Sequence, residues 1–180
     1  MRRLIVSNMM SLDGFFEGPN HEIDWFLVDE EFLAYARQML YSVDTILFGR
    51  RTYEHMAAHW PSAPKDEIAD KMNSLHKIVF SRTLGKADWN NSQLVKRNIA
   101  NEVSALKQQP GKDMVVLGSA MLASFLLQEA LIDEYRIILD PIILGRGNPL
   151  FTKIKQRVRL KLKDAKPLAS GVVILYYEKA

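Results

Sequence analysis

The segment 44–54 constrains the fold more than any other part of the chain. Thr45–Phe48 is an apolar, β-favouring run whose length is typical of a strand covered on both faces. Gly49 permits a tight turn and the close approach of a ligand, and Arg50–Thr52 fall at the start of a helix. A helix start has free N–H groups and a partial positive charge, which favour a phosphate. A surface helix with ordinary arginines is the alternative interpretation.

Two later segments have a similar arrangement. A predicted strand over 77–81 ends in Ser81-Arg82-Thr83, and a predicted strand over 113–117 leads into Gly118-Ser119-Ala120. Ligands of mostly parallel sheets bind beyond the carboxyl ends of the strands. Together the three strand ends suggest a nucleotide with two or more phosphate groups. Neither Gly-x-Gly-x-x-Gly nor a Gly-Lys-Ser/Thr loop is present, so the two common nucleotide-binding motifs do not fit.

The alternation of strands and helices predicts one α/β domain over residues 1–180. The predicted sheet is mostly parallel, with an antiparallel hairpin at the C-terminus. Helices are predicted over 29–42, 50–58, 65–75, 99–108 and 121–130. Strands are predicted over 2–8, 45–48, 77–81, 93–96, 113–117, 132–139, 157–163 and 172–178.

The predicted C-terminal hairpin carries a basic face. Residues 157–163 alternate Arg or Lys with Val or Leu, which predicts a strand with one face buried and the other basic. The basic face could bind an anion or RNA. We favour a solvated edge strand protected by lysine, because no aromatic residues accompany the charges for stacking on bases.

The composition excludes several classes of site and partner. The chain has no cysteine, so disulfides and thiolate metal sites are excluded, and no metal site is predicted. No apolar run is long enough to span a membrane, and the N-terminus lacks the pattern of a signal peptide, so we expect a cytoplasmic protein. A net charge of +3 is compatible with a phosphorylated ligand and too weak to indicate nucleic acid.

A loop with aromatic side chains is predicted over residues 9–20. Ser11-Leu12-Asp13-Gly14 is a turn signal, and Phe15, Phe16, Trp25 and Phe26 follow it. The aromatic residues either form a mobile lid over a ligand or pack against the core.

The order of these segments resembles dihydrofolate reductase, and the resemblance covers nearly the whole chain. The segments that carry it are 48–54, 78–83 and 116–120. Three others resemble more closely the reductase domain of the bacterial bifunctional riboflavin-biosynthesis deaminase–reductase: 6–14, 133–136 and 141–147. The chain is identified as a stand-alone member of the dihydrofolate-reductase-like reductases.

This resemblance implies a three-layer fold, a homodimer and NADPH as cofactor. It also implies hydride transfer to a small heterocycle, either a pterin or a pyrimidine related to riboflavin precursors. The residues that would meet the cofactor are Ser11, Gly14, Gly49, Arg50, Arg51, Thr52, Ser81, Arg82, Thr83, Gly118, Ser119, Ala120 and Met121. The arginines suit the 2′-phosphate that distinguishes NADPH from NADH.

The substrate half of the site is less clearly indicated. Dihydrofolate reductase has two consecutive glycines where this chain has Gly118 and Ser119, and it has a substrate-binding acid that here has several candidates. Asp13 or Asp29 could relay a proton, and Trp25, Phe48 and Tyr53 could wall the substrate. All of these residues could instead be core residues or helix caps. A non-catalytic nucleotide-binding or dimerisation module is therefore the alternative function.

Overall fold

The computed structural model describes all of residues 1–180, and a large central sheet runs through it. The strands are β1 (Leu4–Ser11), β2 (Phe15–Glu17), β3 (Val43–Gly49), β4 (His76–Phe80), β5 (Ser92–Val95), β6 (Asp113–Leu117), β7 (Glu134–Asp140), β8 (Asn148–Pro149), β9 (Leu160–Pro167) and β10 (Val173–Lys179). The helices are α1 (Glu30–Ser42), α2 (Arg50–His59), α3 (Glu67–Ser74), α4 (Ile99–Gln108) and α5 (Ala120–Gln128), with a short 3₁₀ turn at Trp60–Ser62.

The central sheet has eight strands in the order β5-β4-β3-β6-β1-β7-β10-β9. From β5 to β7 every neighbouring pair is parallel, whereas β10 is antiparallel to both β7 and β9. Strands β2 and β8 form a separate small sheet. The predicted mostly parallel sheet with an antiparallel C-terminal hairpin is therefore confirmed. The parallel strands all end at one edge, which we name the carboxyl edge.

Apolar clusters on the two faces of the sheet give the molecule its three layers. Ile46 and Phe48 of β3 belong to the cluster that includes residues of α1, α2 and α3, and Leu47 belongs to the cluster of α4 and α5. All three side chains are fully buried. Successive residues of a strand face opposite sides, so a strand covered on both sides needs an unbroken apolar run.

The predicted elements agree with the structure closely where local signals are strong. Helix α4 and strand β6 have the predicted bounds, and α1 begins one residue late because Asp29 is its N-cap. The carboxylate of Asp29 accepts a hydrogen bond from the Phe32 N–H at 2.7 Å. Strand β1 extends to Ser11 rather than ending at residue 8, and part of the predicted loop forms β2.

The prediction of a half-buried strand over 157–163 was wrong. Strand β9 begins at Leu160, lies at the end of the sheet and has only exposed residues. The side chains expected to be buried, Val158, Leu160 and Leu162, are 39%, 36% and 50% exposed. Neither apolar cluster includes a residue of β9, so the alternating pattern marks an uncovered edge strand.

No helix in the structure combines the length and the apolar character needed to cross a membrane.

A buried lysine closes the end of α3. The Lys77 ammonium is fully buried and donates hydrogen bonds to the carbonyl oxygens of Met72, Asn73 and Leu75 at 2.9, 3.0 and 2.7 Å. It also lies 4.4 Å from the centre of the Trp89 ring. Burial lowers the pKa of Lys77 to about 8. The carbonyls at the end of a helix lack partners within the helix, and here one side chain provides them.

We expect Lys77→Met to lower the free energy of unfolding by about 2 kcal/mol, because the buried carbonyls lose a charged donor. Urea denaturation measures this change. The matched control is Lys65→Met, at an exposed position with no side-chain hydrogen bond or ion pair. Equal stabilities for the two variants would contradict this role of Lys77.

Candidate functional site

The structure brings the three predicted phosphate-type segments together at the carboxyl edge. Strands β4, β3 and β6 are consecutive in the sheet. Ser81, Gly49 and Gly118 lie at or directly after the ends of these strands. The predicted cofactor residues of all three segments therefore form one continuous border.

Two of these junctions touch directly. The Gly49 N–H donates a hydrogen bond to the Ser119 hydroxyl at 2.7 Å. Gly118 has φ +65°, and a Cβ added there would lie 2.7 Å from Cγ2 of Thr52. Ser119 also has a left-handed φ of 62°. The β6–α5 turn is therefore packed against the start of α2, and only glycine fits at position 118.

Both helices that start at these junctions lack a side-chain cap. The N-cap of α2 is Gly49, which has no side chain, and the N-cap of α5 is Ser119, whose hydroxyl accepts from Gly49 instead. No side chain therefore caps the first N–H groups of either helix. Two neighbouring helix N-termini of this kind favour an anion.

Three arginines surround this border. Arg50 and Arg82 are exposed and form no ion pair, and Arg51 contacts only Nε2 of His21, at 3.3 Å. Thr83 is also exposed, whereas the Ser81 hydroxyl accepts hydrogen bonds from the N–H groups of its own turn. Unpaired guanidinium groups can bind phosphate in a bidentate manner.

The loop after β1 is joined to this border through His21. His21 pairs with Glu17 of β2 through Nδ1 and contacts Arg51 through Nε2. Asn148 of β8 donates to the same Glu17 carboxylate at 2.8 Å. The aromatic-rich loop therefore connects directly to α2.

Asp13 links two loops of the carboxyl edge. Its carboxylate accepts hydrogen bonds from the Ser11 hydroxyl at 2.7 Å and from the N–H groups of Leu144 and Gly145 at 3.1 and 2.8 Å. These bonds lower the pKa of Asp13, with the Ser11 bond as the largest cause. A carboxylate held ionised in this way is a poor proton donor at neutral pH. The catalytic role of Asp13 stays a prediction.

The carboxylate of Asp29 is engaged as well. Its bond to the Phe32 N–H caps α1 and is the largest cause that lowers the pKa of Asp29. The geometry supports the capping interpretation, and the catalytic role of Asp29 also stays a prediction.

The three predicted substrate-wall residues lie in different environments. Phe48 is fully buried and Tyr53 is 4% exposed, and both pack against Trp89. The Tyr53 hydroxyl accepts a hydrogen bond from the backbone N–H of Trp89 at 2.9 Å. Trp25 is only partly buried and packs edge to face against Phe26, with ring centres 4.5 Å apart. The geometry supports a core role for Phe48 and Tyr53, and their contact with a substrate stays a prediction.

Two buried polar residues at this edge were missed by sequence reasoning. Asn8 accepts a hydrogen bond from the Gly118 N–H at 2.7 Å, and its amide nitrogen has no partner. Asp140 is fully buried, and its Oδ2 has no partner. Burial raises the pKa of Asp140. The sequence signal for each of them was a single polar residue at the end of an apolar run. By itself, such a residue is weak evidence for a functional site.

The resemblance inferred from the sequence is confirmed by comparison with known proteins. Residues 2–174 match the model of the RibD C-terminal domain. The chain belongs to the RibD C-terminal domain family. The uncharacterised protein YyaP of Bacillus subtilis is 37% identical over 180 residues, which cover 98% of this chain and 94% of YyaP.

Two solved structures have the same fold as this chain. The deaminase/5-amino-6-(5-phosphoribosylamino)uracil reductase of Thermotoga maritima is similar, with a TM-score of 0.72 and 13% identity, over 99% of this chain and 57% of that one. Dihydrofolate reductase from Enterococcus faecalis, complexed with NADP(H), has a TM-score of 0.69 and 14% identity, over 98% of this chain and 96% of that one. The predicted dihydrofolate-reductase-like fold is confirmed.

We expect Gly118→Ala to lower the free energy of unfolding by about 1–3 kcal/mol, because a Cβ there is strained at positive φ and meets Thr52. The control is Gly85→Ala, where a Cβ meets nothing within 4 Å and φ is not in the left-handed region. Adding Thr52→Ser, which removes Cγ2, should restore part of the loss. Thermal unfolding of the three variants measures these effects, and equal losses for Gly118→Ala and Gly85→Ala would contradict the tight junction.

Proposed function

We propose that this protein is an NADPH-dependent reductase that transfers hydride to a small heterocycle, a pterin or a pyrimidine of the riboflavin-precursor type. The observation that carries the proposal is the pair of uncapped helix N-termini, with Arg50, Arg51 and Arg82 beside them, at three adjoining strand ends. The family match and the reductases with the same fold support it.

The arrangement at the carboxyl edge suits NADPH. Arg50, Arg51 and Thr52 would hold the pyrophosphate and the 2′-phosphate, while Ser81, Arg82 and Thr83 would flank the adenosine end. The backbone of residues 118–121 would pass close to the pyrophosphate, and the 11–14 loop would cover the nicotinamide ribose. NADPH, when bound, supplies the hydride. The protein would align the two reactants and exclude water, with Trp25 and its loop as the cover.

The arginines provide the first test of the cofactor. Arg50→Ala or Arg51→Ala should weaken NADPH binding by about tenfold or more, because each removes a charged donor to phosphate. NADH lacks the 2′-phosphate and should bind much more weakly to the unmodified protein. Titration read by nicotinamide fluorescence measures both affinities.

The matched control for this titration is Arg159→Ala. Arg159 is exposed and precedes β9, far along the sheet from the strand ends that carry Arg50 and Arg82. Its replacement should leave NADPH affinity unchanged. If the unmodified protein bound neither nucleotide, the reductase proposal would fail.

The alternative function is a non-catalytic nucleotide-binding or dimerisation module. One observation favours it: the carboxylates of Asp13 and Asp29 and the side chains of Phe48 and Tyr53 all have structural contacts. Such a module would bind NADPH without oxidising it when offered dihydrofolate, other pterins or riboflavin precursors. Oxidation with any of these acceptors would exclude the alternative.

We also propose a homodimer that forms through β9. This strand exposes its outer edge together with the apolar side chains of Leu160 and Leu162. Ile174 of β10 is fully buried, so a charge there would disturb the core rather than an interface.

Light scattering of the unmodified protein should give the mass of a dimer. Leu162→Lys should shift it to a monomer by placing a charge in the interface. The control is Ile143→Lys, where the native side chain is 70% exposed and lies in the loop after β7. A monomeric unmodified protein would contradict the proposal.

A further inference from the structure

Asp140 has a buried carboxyl oxygen without a partner. The side chain is 0% exposed, and no other aspartate or glutamate in the structure is buried. Its Oδ1 accepts a hydrogen bond from the Leu27 N–H at 2.9 Å, whereas Oδ2 has none. A buried acceptor without a donor is costly, and native structures contain few of them. The position therefore calls for a hydrogen-bond donor from outside the chain.

The position of Asp140 places this oxygen beside the proposed reductase site. Asp140 ends β7 and pairs in register with Ser11, the last residue of β1. By the alternation of the strand it shares a face with Ile138, which belongs to the apolar cluster on the α1 side of the sheet. Met9 and Leu117, which are partly buried, pack against the same cluster. Asp140 therefore lies at the carboxyl edge, on the apolar face of the sheet that packs against α1.

The segment bonded to Asp140 has no regular secondary structure, although Ile23, Trp25 and Phe26 within it are partly buried. Residues 23–29 form neither helix nor strand. The side chains of Leu27 and Val28 are 42% and 55% exposed, so lifting them uncovers little apolar surface. The hydrogen bond from Leu27 to Asp140 ties this segment to the carboxyl group.

We propose that Oδ2 of Asp140 accepts a hydrogen bond from an N–H group of the substrate heterocycle, at an amide or amino-substituted ring edge, once the 23–28 segment has opened. The inference rests on the proposed reductase function and narrows its substrate class to rings that carry such a donor. Asp13 and Asp29 are less suited to this task, because their carboxylates already accept hydrogen bonds from loops and from a helix start. Asp140 would then be a substrate-binding residue supplied by the sheet rather than by α1.

The test compares two ring compounds of similar size, 2,4-diaminopyrimidine and 2,4-dimethylpyrimidine, by calorimetry with and without NADPH. Only the first carries amino donors. The unmodified protein should bind the diamino compound about tenfold or more tightly than the dimethyl compound, as expected for a hydrogen bond to a charged group.

Asp140→Asn is the informative variant. It keeps an oxygen for the Leu27 N–H and turns the second atom from an acceptor into a donor. It should remove the preference for the diamino compound and leave NADPH affinity unchanged within about twofold. The control Asp70→Asn, at an exposed position on α3, should keep the preference.

Two outcomes would overturn the inference: an Asp140→Asn protein that keeps the preference, or an unmodified protein that shows none. In either case intact NADPH binding would leave the proposed function standing, whereas failure of the unmodified protein to bind NADPH would remove that function separately. If Asp140→Asn does not fold, carbon NMR of aspartate-labelled unmodified protein replaces it. The carboxyl resonance of the single buried aspartate should then move with the diamino compound and not with the dimethyl compound, and a resonance that does not move overturns the inference.

Discussion

The candidate site depends on the contact between two strand–helix junctions. The Gly49 N–H bonds to the Ser119 hydroxyl, and Gly118 leaves room for Thr52. This contact brings together the starts of α2 and α5, neither of which has a side-chain cap. In the proposed site, backbone N–H groups would bind the phosphate groups, and the arginines would add charge around them.

Much of the fold could be predicted because its signals are local. The apolar run of β3, the acidic start of α1 and the glycine after β6 each occupy a few adjacent residues. The strand at 157–163 was misjudged because alternation shows that two faces differ and does not show whether anything covers the apolar one. Burial of that strand depended on helices elsewhere in the chain, and none reaches the end of the sheet that β9 occupies.

The convergence of the three strand ends followed from the sequence, whereas the buried polar residues at the same edge did not. Three strand ends can be predicted to converge because parallel strands share an edge. The contribution of a single polar side chain depends on which neighbours enclose it, and those neighbours are remote in sequence. Asp140 is enclosed with the help of Leu27, more than a hundred residues earlier. The same limit applies to Phe48 and Tyr53. An aromatic residue near a glycine turn has the same local sequence pattern whether it lies in the core or in the wall of a pocket.

The open edge of the sheet at β9 is separate from the strand ends that form the candidate site. The strand ends that carry the arginines and glycines lie on β4, β3 and β6, while the open edge lies beyond β1, β7 and β10. A further strand could pair with β9 without displacing either apolar cluster. Sequence changes on β9 and sequence changes at the strand ends therefore act on different parts of the structure. Across evolution, the proposed assembly and the proposed nucleotide recognition would therefore be free to diverge independently.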